Sequence, residues 1–307
     1  MAAVFDHDAK RAIRQALAVR AYQADTIRIV DRDVAGWRWI VASHNGVFAV
    51  APGKWKTLIH GWFFGICRDG DSLLLFENCG RHDRSRKMGR LIRIGLTGCA
   101  LGKADVLSRG LDGNCHQVRV IDGLICVVDT ANQAVLRFAR DGTPVDVKRP
   151  FPTASPDDRS GAYLHVNSIA QIDGRLALLL HNGKADPHKQ SEVAWLDADW
   201  QVVDRHFIDG FQCHDLLADS QGAIWHSDSA RGAVIASDGR RAKVHESMMT
   251  RALAFDGENL VVGLSIFSER HLRDGQRGGL AILDRELKVL ELLDLPGSPT
   301  DIVGLAA

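Results

Sequence analysis

Apolar and polar positions along the chain repeat one plan five times. An apolar run of strand length meets a tight polar turn, a second apolar run follows, and a polar loop leads to a third run that closes on another Asp-rich turn. First runs cover residues 63–68, 118–121 and 168–172 and end on Asp69-Gly70, Asp122-Gly123 and Asp173-Gly174; two further copies end at Asp219 and at Asp256-Gly257. Second runs cover 73–76, 124–128, 176–180, 223–225 and 260–264, and third runs 91–94, 135–138, 193–196, 233–236 and 280–283. Each is short, rich in β-formers and bounded by turn residues, which predicts strands joined as hairpins. A more polar fourth strand follows, as at 144–147 and 201–204. Four antiparallel strands per unit, the last facing solvent, describe a propeller blade.

The chain ends supply one more copy. Residues 37–42, 47–50 and 55–59 match the second, third and fourth strands, and the C-terminal Asp301-Ile-Val-Gly-Leu-Ala segment fits the missing first strand. The expected fold is therefore all-β: a six-bladed β-propeller over residues 26–307, closed by strands from both termini, which removes an open sheet edge. Residues 1–25, with Asp6, Asp8, Lys10, Arg11 and Arg14 among alanines, predict a short amphipathic helical extension rather than a signal peptide.

Composition narrows the function classes. With 38 basic and 38 acidic residues, the chain has no global pull toward nucleic acid or a membrane surface, and no apolar run is long enough to span a bilayer. Six cysteines without a CxxC spacing fit reduced, packed thiols and a cytoplasmic protein. Cys115 and Cys213 are expected to point away from the side shown by His116 and His214, because strand neighbours face opposite ways. The nucleophile elbow, the zincin helix, the Walker loop and the dinucleotide-binding glycine pattern are all missing.

Candidate chemistry comes from histidines. His116, His165 and His214 stand 49 residues apart, at the entrances of three consecutive first strands, and His60 occupies the corresponding approach to the second blade. First strands surround a propeller axis, so these four are expected at one axial rim as ligands for a divalent transition metal, zinc or iron. A structural role, filling hydrogen bonds between blades, is the plain alternative for any one of them, and Asp215 is placed for such an inter-blade bond.

The repeat resembles the six-bladed propellers of the NHL-repeat and SMP-30/gluconolactonase-like group. That group's metal set of Glu, Asn and Asp is not reproduced in order, and Asn167 matches one member. The inner-strand histidines also resemble the axial set of peptidylglycine amidating lyases, where the ligands lie on alternate blades rather than consecutive ones. A weaker likeness is to the four-histidine iron site of carotenoid-cleaving oxygenases, which have seven blades.

Three long loops, residues 79–90, 182–192 and 266–278, emerge at the same end from blades 2, 4 and 6. Their cations, among them Arg81, Arg84, Arg270 and Arg273, favour a small anionic substrate, with Asn167 beside them. For stacking nucleotides the basic loop 79–90 has no Phe, Trp or Tyr, and loop 266–278 has only Phe267. His181, Glu77 and Asp228 close second strands at this rim and are the expected acid–base groups, with Arg251 as a charge anchor. The reading is thus a metal-dependent lyase or hydrolase, with an iron-dependent oxygenase as its variant. Its alternative is a non-catalytic scaffold that binds a protein or anionic partner through the basic loops.

Overall fold

Asp122-Gly123 and Asp173-Gly174 each place two consecutive residues in the left-handed region, with φ of 49° and 77° in the first pair and 49° and 75° in the second. That geometry makes a two-residue turn whose twist matches the flanking strands, and glycine takes its second position without strain. Such turns fold the apolar runs into hairpins. A computed structural model describes residues 2–81, 83, 86–257, 259–267 and 276–305, with the side chains of residues 2–8 excepted.

Helix α1 (Ala2–Gln23) precedes the sheets. The first blade holds β1 (Arg28–Ile29), β2 (Trp39–Ser43), β3 (Gly46–Ala51) and β4 (Lys54–His60), and the second β5 (Phe63–Asp69), β6 (Ser72–Asn78), β7 (Gly89–Thr97) and β8 (Ala100–Leu111). The third comprises β9 (Cys115–Ile121), β10 (Leu124–Asp129), β11 (Ala134–Phe138) and β12 (Pro144–Lys148); the fourth, β13 (Val166–Ile172), β14 (Arg175–Leu180), β15 (Glu192–Leu196) and β16 (Val202–Phe207). In the fifth are β17 (His214–Ala218), β18 (Ile224–Asp228), β19 (Ala233–Ala236) and β20 (Arg241–Lys243). The sixth has β21 (Met248–Asp256), β22 (Asn259–Ile266), β23 (Gly278–Leu283) and β24 (Val289–Leu295).

The C-terminal β25 (Pro299–Gly304) pairs antiparallel with β2, Val41 facing Ile302 and Trp39 facing Gly304, and so becomes the inner strand of the first blade. The described strands thus form six sheets, each a four-stranded antiparallel ladder apart from the first, which gains the short edge strand β1. This is the six-bladed propeller the repeat predicts, with the closure it predicts.

The core lies between blades rather than within one of them. Trp39, Val41 and Phe48 of the first blade pack with Ala252, Val261 and Leu280 of the sixth, and Ile125 and Val127 of the third pack with Leu74 and Phe76 of the second. Cys115 and Cys213 are buried in two of these interfaces, as strand alternation requires. All six cysteines are free, and burial pushes the thiols of Cys126 and Cys213 up to about 12, so neither is a nucleophile near neutral pH. Among the described residues no helix is long and apolar enough to cross a membrane.

Helix α1 docks through its C-terminal half. Ala18 packs on Cys79 and Met88, and Arg90, only 1 % exposed, ties the helix to the second blade. Its guanidinium donates to Glu77 Oε2 at 2.9 and 2.7 Å, to the Ala21 carbonyl at 3.2 Å and to the Thr26 carbonyl at 2.8 Å. Removing the cation would strand the buried Glu77 carboxylate. An Arg90→Met variant is therefore expected to lose about 3 kcal/mol or more in chemical denaturation and to release α1 to limited proteolysis at lower denaturant. Loss below about 1 kcal/mol, the range of surface pairs, would show that the pair carries little of the docking.

Candidate functional site

One irregularity recurs in all six inner strands. In each, the ladder to the second strand carries a single extra residue on the inner side, a β-bulge. Phe63 and Gly65 pair with Glu77 and Phe76, leaving Phe64 extra. Cys115 and Gln117 pair with Asp129 and Val128 around His116, and Val166 and Ser168 with Leu180 and Leu179 around Asn167. Between the pairs His214–Ser227 and Leu217–Trp225, the extra residue falls at Asp215-Leu216; between Thr250–Leu264 and Leu253–Val262, it falls at Arg251-Ala252. Pro299 and Asp301 face Ser43 and Ala42 around Thr300.

The bulges re-aim their side chains to a common place. Phe64, His116, Asn167, Asp215, Arg251 and Thr300 line one narrow axial cavity, joined by Gln117 and His214. His165 and Asp215 hold φ of 53° and 59°, in the left-handed region that non-glycine residues adopt uncommonly.

A polar layer floors the cavity and locks the blades. Asp301 accepts from Ile66 N–H of the second blade at 3.0 Å and from Arg119 at 2.8 and 3.1 Å. Gln117 Oε1 accepts from Ile169 N–H at 2.8 Å, and its Nε2 donates to Asp215 at 2.9 Å. Asp215 in turn accepts from Leu253 N–H of the sixth blade at 2.9 Å, the inter-blade bond the sequence places there, and lies 3.5 Å from Arg119. One guanidinium thus serves two buried carboxylates.

Burial pushes Asp215 up to about 6, with Arg119 opposing and the Asp301 charge adding. A carboxyl raised in the folded chain binds its proton more tightly there than in the unfolded chain, so its ionisation weakens folding as pH rises from 3.8 to about 6. The Asp215→Asn variant is expected to lose that decline, giving a flatter plot of denaturation midpoint against pH over this window. A plot that keeps the wild-type slope would assign the decline to other groups.

Above the floor lies a row of rings. Trp62 stacks with Phe64 at 5.8 Å between centroids, and His44 packs against both. Phe64 touches His116 at 5.1 Å, His116 touches His165 at 5.2 Å, His165 stacks on His181 at 4.4 Å, and His181 meets His214 edge to face at 4.9 Å. Hydrogen bonds fix the tautomers. His214 Nδ1 faces the Gln212 carbonyl at 2.9 Å and Ser229 Oγ at 2.8 Å, and a carbonyl only accepts, so Nδ1 carries the proton and Nε2 the lone pair. The same logic applies to His116 Nδ1 against the Asn114 carbonyl at 2.9 Å. His181 is the reverse: its Nδ1 accepts from Gly183 N–H at 3.0 Å, so the neutral ring carries its proton on Nε2.

Burial, followed by Arg251 and the neighbouring histidines, holds His214 well below the ordinary histidine value. For His165 the causes are burial, then His181 and His116, then Arg251 and Lys184. These two imidazoles are therefore uncharged at neutral pH.

These positions divide the candidates read from the sequence. His116, His165, His181, His214, Asn167 and Arg251 come together around the axis. His60 does not join them: it sits on β4 opposite Arg28 of the edge strand, and partial burial with the charges of Arg28 and Arg14 lowers its pKa. Glu77 is enclosed by Arg90, with Arg28 3.9 Å from its other oxygen. Asp228 is fully buried, accepting from Phe211 N–H at 3.1 Å and facing Arg231 at 3.2 Å. Both carboxylates are taken up by these buried hydrogen bonds and ion pairs, and neither lines the axial cavity. Arg81 lies over the Trp62 ring at 5.6 Å, while Arg84, Arg270 and Arg273 lie outside the described residues.

The even spacing of the histidines does not make them equivalent. His116 is itself a bulge residue, His214 directly precedes one, and His165 stands two places ahead of Asn167. Because the connections between blades differ in length, equal sequence steps land at different ladder positions, and a one-residue slip turns a side chain to another face. Their rings accordingly touch in series. Among the described residues, no group of three His, Cys, Asp or Glu side chains is arranged to hold a metal ion, so the donors present do not fit the zinc or iron that the resemblance implies. Gln117, Thr300, Ser229 and His44 are additions; for Gln117 and Thr300 the legible signal is a polar residue just ahead of a first apolar run, while Ser229 and His44 directly follow second strands.

No known protein family's profile matches the chain, and no curated protein matches it. Solved structures do. The chain is similar to a chain of a nidogen/laminin complex, with a TM-score of 0.60 at 12 % identity over 87 % of this chain and 97 % of that one. It is also similar to a protein of unknown function from Bacteroides caccae, with a TM-score of 0.57 at 12 % identity over 88 % and 99 %. A proposed gluconolactonase gives a TM-score of 0.55 at 11 % identity over 90 % and 89 %. Likeness at this level shows the propeller fold alone.

Proposed function

We propose that the chain is an enzyme of the lyase or hydrolase class that takes a small anionic molecule at its axial mouth. The observation that carries this reading is the sixfold bulge, which directs Arg251, Asn167, Asp215 and His116 into one cavity beside a row of imidazoles. A guanidinium supplies a fixed positive charge for a carboxylate or phosphate. The imidazoles supply proton transfer: His214 Nε2 accepts a proton from the substrate, and His181 Nε2–H donates one to the leaving group. Ser229 and the Gln212 carbonyl keep the His214 ring in the required tautomer, the role a base's partner plays in other acid–base sites. The architecture is one shared with a structure described as a proposed gluconolactonase, in keeping with hydrolytic chemistry.

Binding and turnover test this directly. Calorimetric titration with acetate, phosphate and citrate is expected to show saturable binding that weakens roughly 10- to 100-fold in an Arg251→Met variant, the size of a charge-assisted hydrogen bond. A panel of lactones, carboxylate esters and eliminable hydroxy acids is expected to contain a compound turned over by wild type and not by that variant. Binding that is unchanged without Arg251 sinks the reading.

A further inference from the structure

A second cavity adjoins the axial one and shares its wall. It is lined by His116 and His165 together with Asn114, Pro156, Tyr163 and Lys184. His116 lines both spaces and His165 the second, and each space has room for about one water-sized group, or one carboxylate oxygen. Arg251 stands in the first space and Lys184 in the second. His165 lies within electrostatic reach of both cations.

The ends of this double site are suited to a ligand. Lys184 Nζ is 4.0 Å from Asp157, whose side chain is 82 % exposed, a loose surface pair that a bound anion displaces at little cost. Among the described residues, Asn167 Nδ2 beside the first space and His165 Nε2 beside the second are buried polar atoms with no hydrogen-bond partner, which is costly unless a ligand or water meets them. Tyr163 holds the outer wall, its hydroxyl donating to the Thr130 carbonyl at 3.1 Å and its ring resting on His165 at 5.7 Å.

We infer that the substrate is a small molecule with two acidic groups. One group puts an oxygen into the axial cavity by Arg251 and Asn167, the other puts one into the side cavity by Lys184, and the chain between them passes over His116, which lines both. The inference rests on the anion-binding reading above and adds Lys184 as the residue that selects a second acid group.

Calorimetry with butyrate, succinate and glutarate at fixed ionic strength tests it. Wild type is expected to bind one of the diacids roughly tenfold more tightly than butyrate, the size of one added charge-assisted contact. Because the Lys184 side chain is 43 % exposed, Lys184→Met folds as wild type, and it is expected to bring diacid affinity down to that of butyrate while butyrate affinity stays the same. Equal affinity for mono- and diacids in wild type, or a diacid preference that survives Lys184→Met, overturns the inference. If butyrate binds through Arg251 without any diacid preference, only this inference falls; if none of the three compounds binds, the anion reading falls with it.

Discussion

Replacing Arg119 by methionine is expected to cost about 3–5 kcal/mol of folding stability, the range for breaking a buried ion pair from one side. Asp301 is 1 % exposed and Asp215 is 5 % exposed, and Arg119 is the cation that lies against both. Without it, two carboxylates stay in the axial floor. Backbone N–H groups of Ile66, Ile302, Leu216 and Leu253 satisfy their oxygens but do not neutralise their charge. Because these carboxylates join the inner strands of different blades, the loss falls on ring closure, and the unfolding transition is expected to shift as a whole. The double variant Arg119→Met, Asp301→Asn removes one stranded charge and is expected to recover part of the loss. Equilibrium denaturation of the three proteins decides the matter: a single variant within about 1 kcal/mol of wild type, or a double variant less stable than the single, would show that the floor is held by hydrogen bonds and packing alone.

Replacement of His214 by alanine is expected to lower kcat/KM roughly 100- to 10,000-fold on whichever substrate wild type turns over, the usual share of a general base. Added imidazole should restore part of the rate, which a structural defect would not allow. The pH profile carries a second signature. His214 titrates well below the ordinary histidine value because it is buried and lies near Arg251, so the base remains unprotonated through mildly acid conditions. The acid limb of kcat/KM is therefore expected below pH 6.5. Removing Arg251 relieves one of the causes and should move that limb upward. A limb at or above 6.5 in wild type, or a His214→Ala rate that imidazole leaves unchanged, would assign proton transfer to another group.

Much of this fold was legible in the pattern of the chain, and the candidate site less so. The period of the apolar runs, the Asp-Gly turns and the complementary strands at the two ends are local features, each interpretable within a few residues, and together they specify six blades and their closure. Arg251, Asn167 and the three evenly spaced histidines were also correctly brought near the axis, because inner strands converge whatever their detail. Glu77 and Asp228 stand apart from the axial cavity for a physical reason: a carboxylate at a strand end looks the same in sequence whether it faces a substrate or a guanidinium of the fold. Arg90 and Arg231 decide that, and both come from other strands or turns.

By itself, then, the sequence determined the repeat, the ring it closes into, and the convergence of polar inner-strand residues on one mouth. Only the tertiary structure decided which residues meet there. A β-bulge inserts one residue without changing the apolar pattern, so its position is set by ladder pairing and by contact with the neighbouring blade. That single insertion in each inner strand made Thr300 and Asp215 neighbours of His116 and Arg251, while His181 comes between His165 and His214 in the row of touching rings.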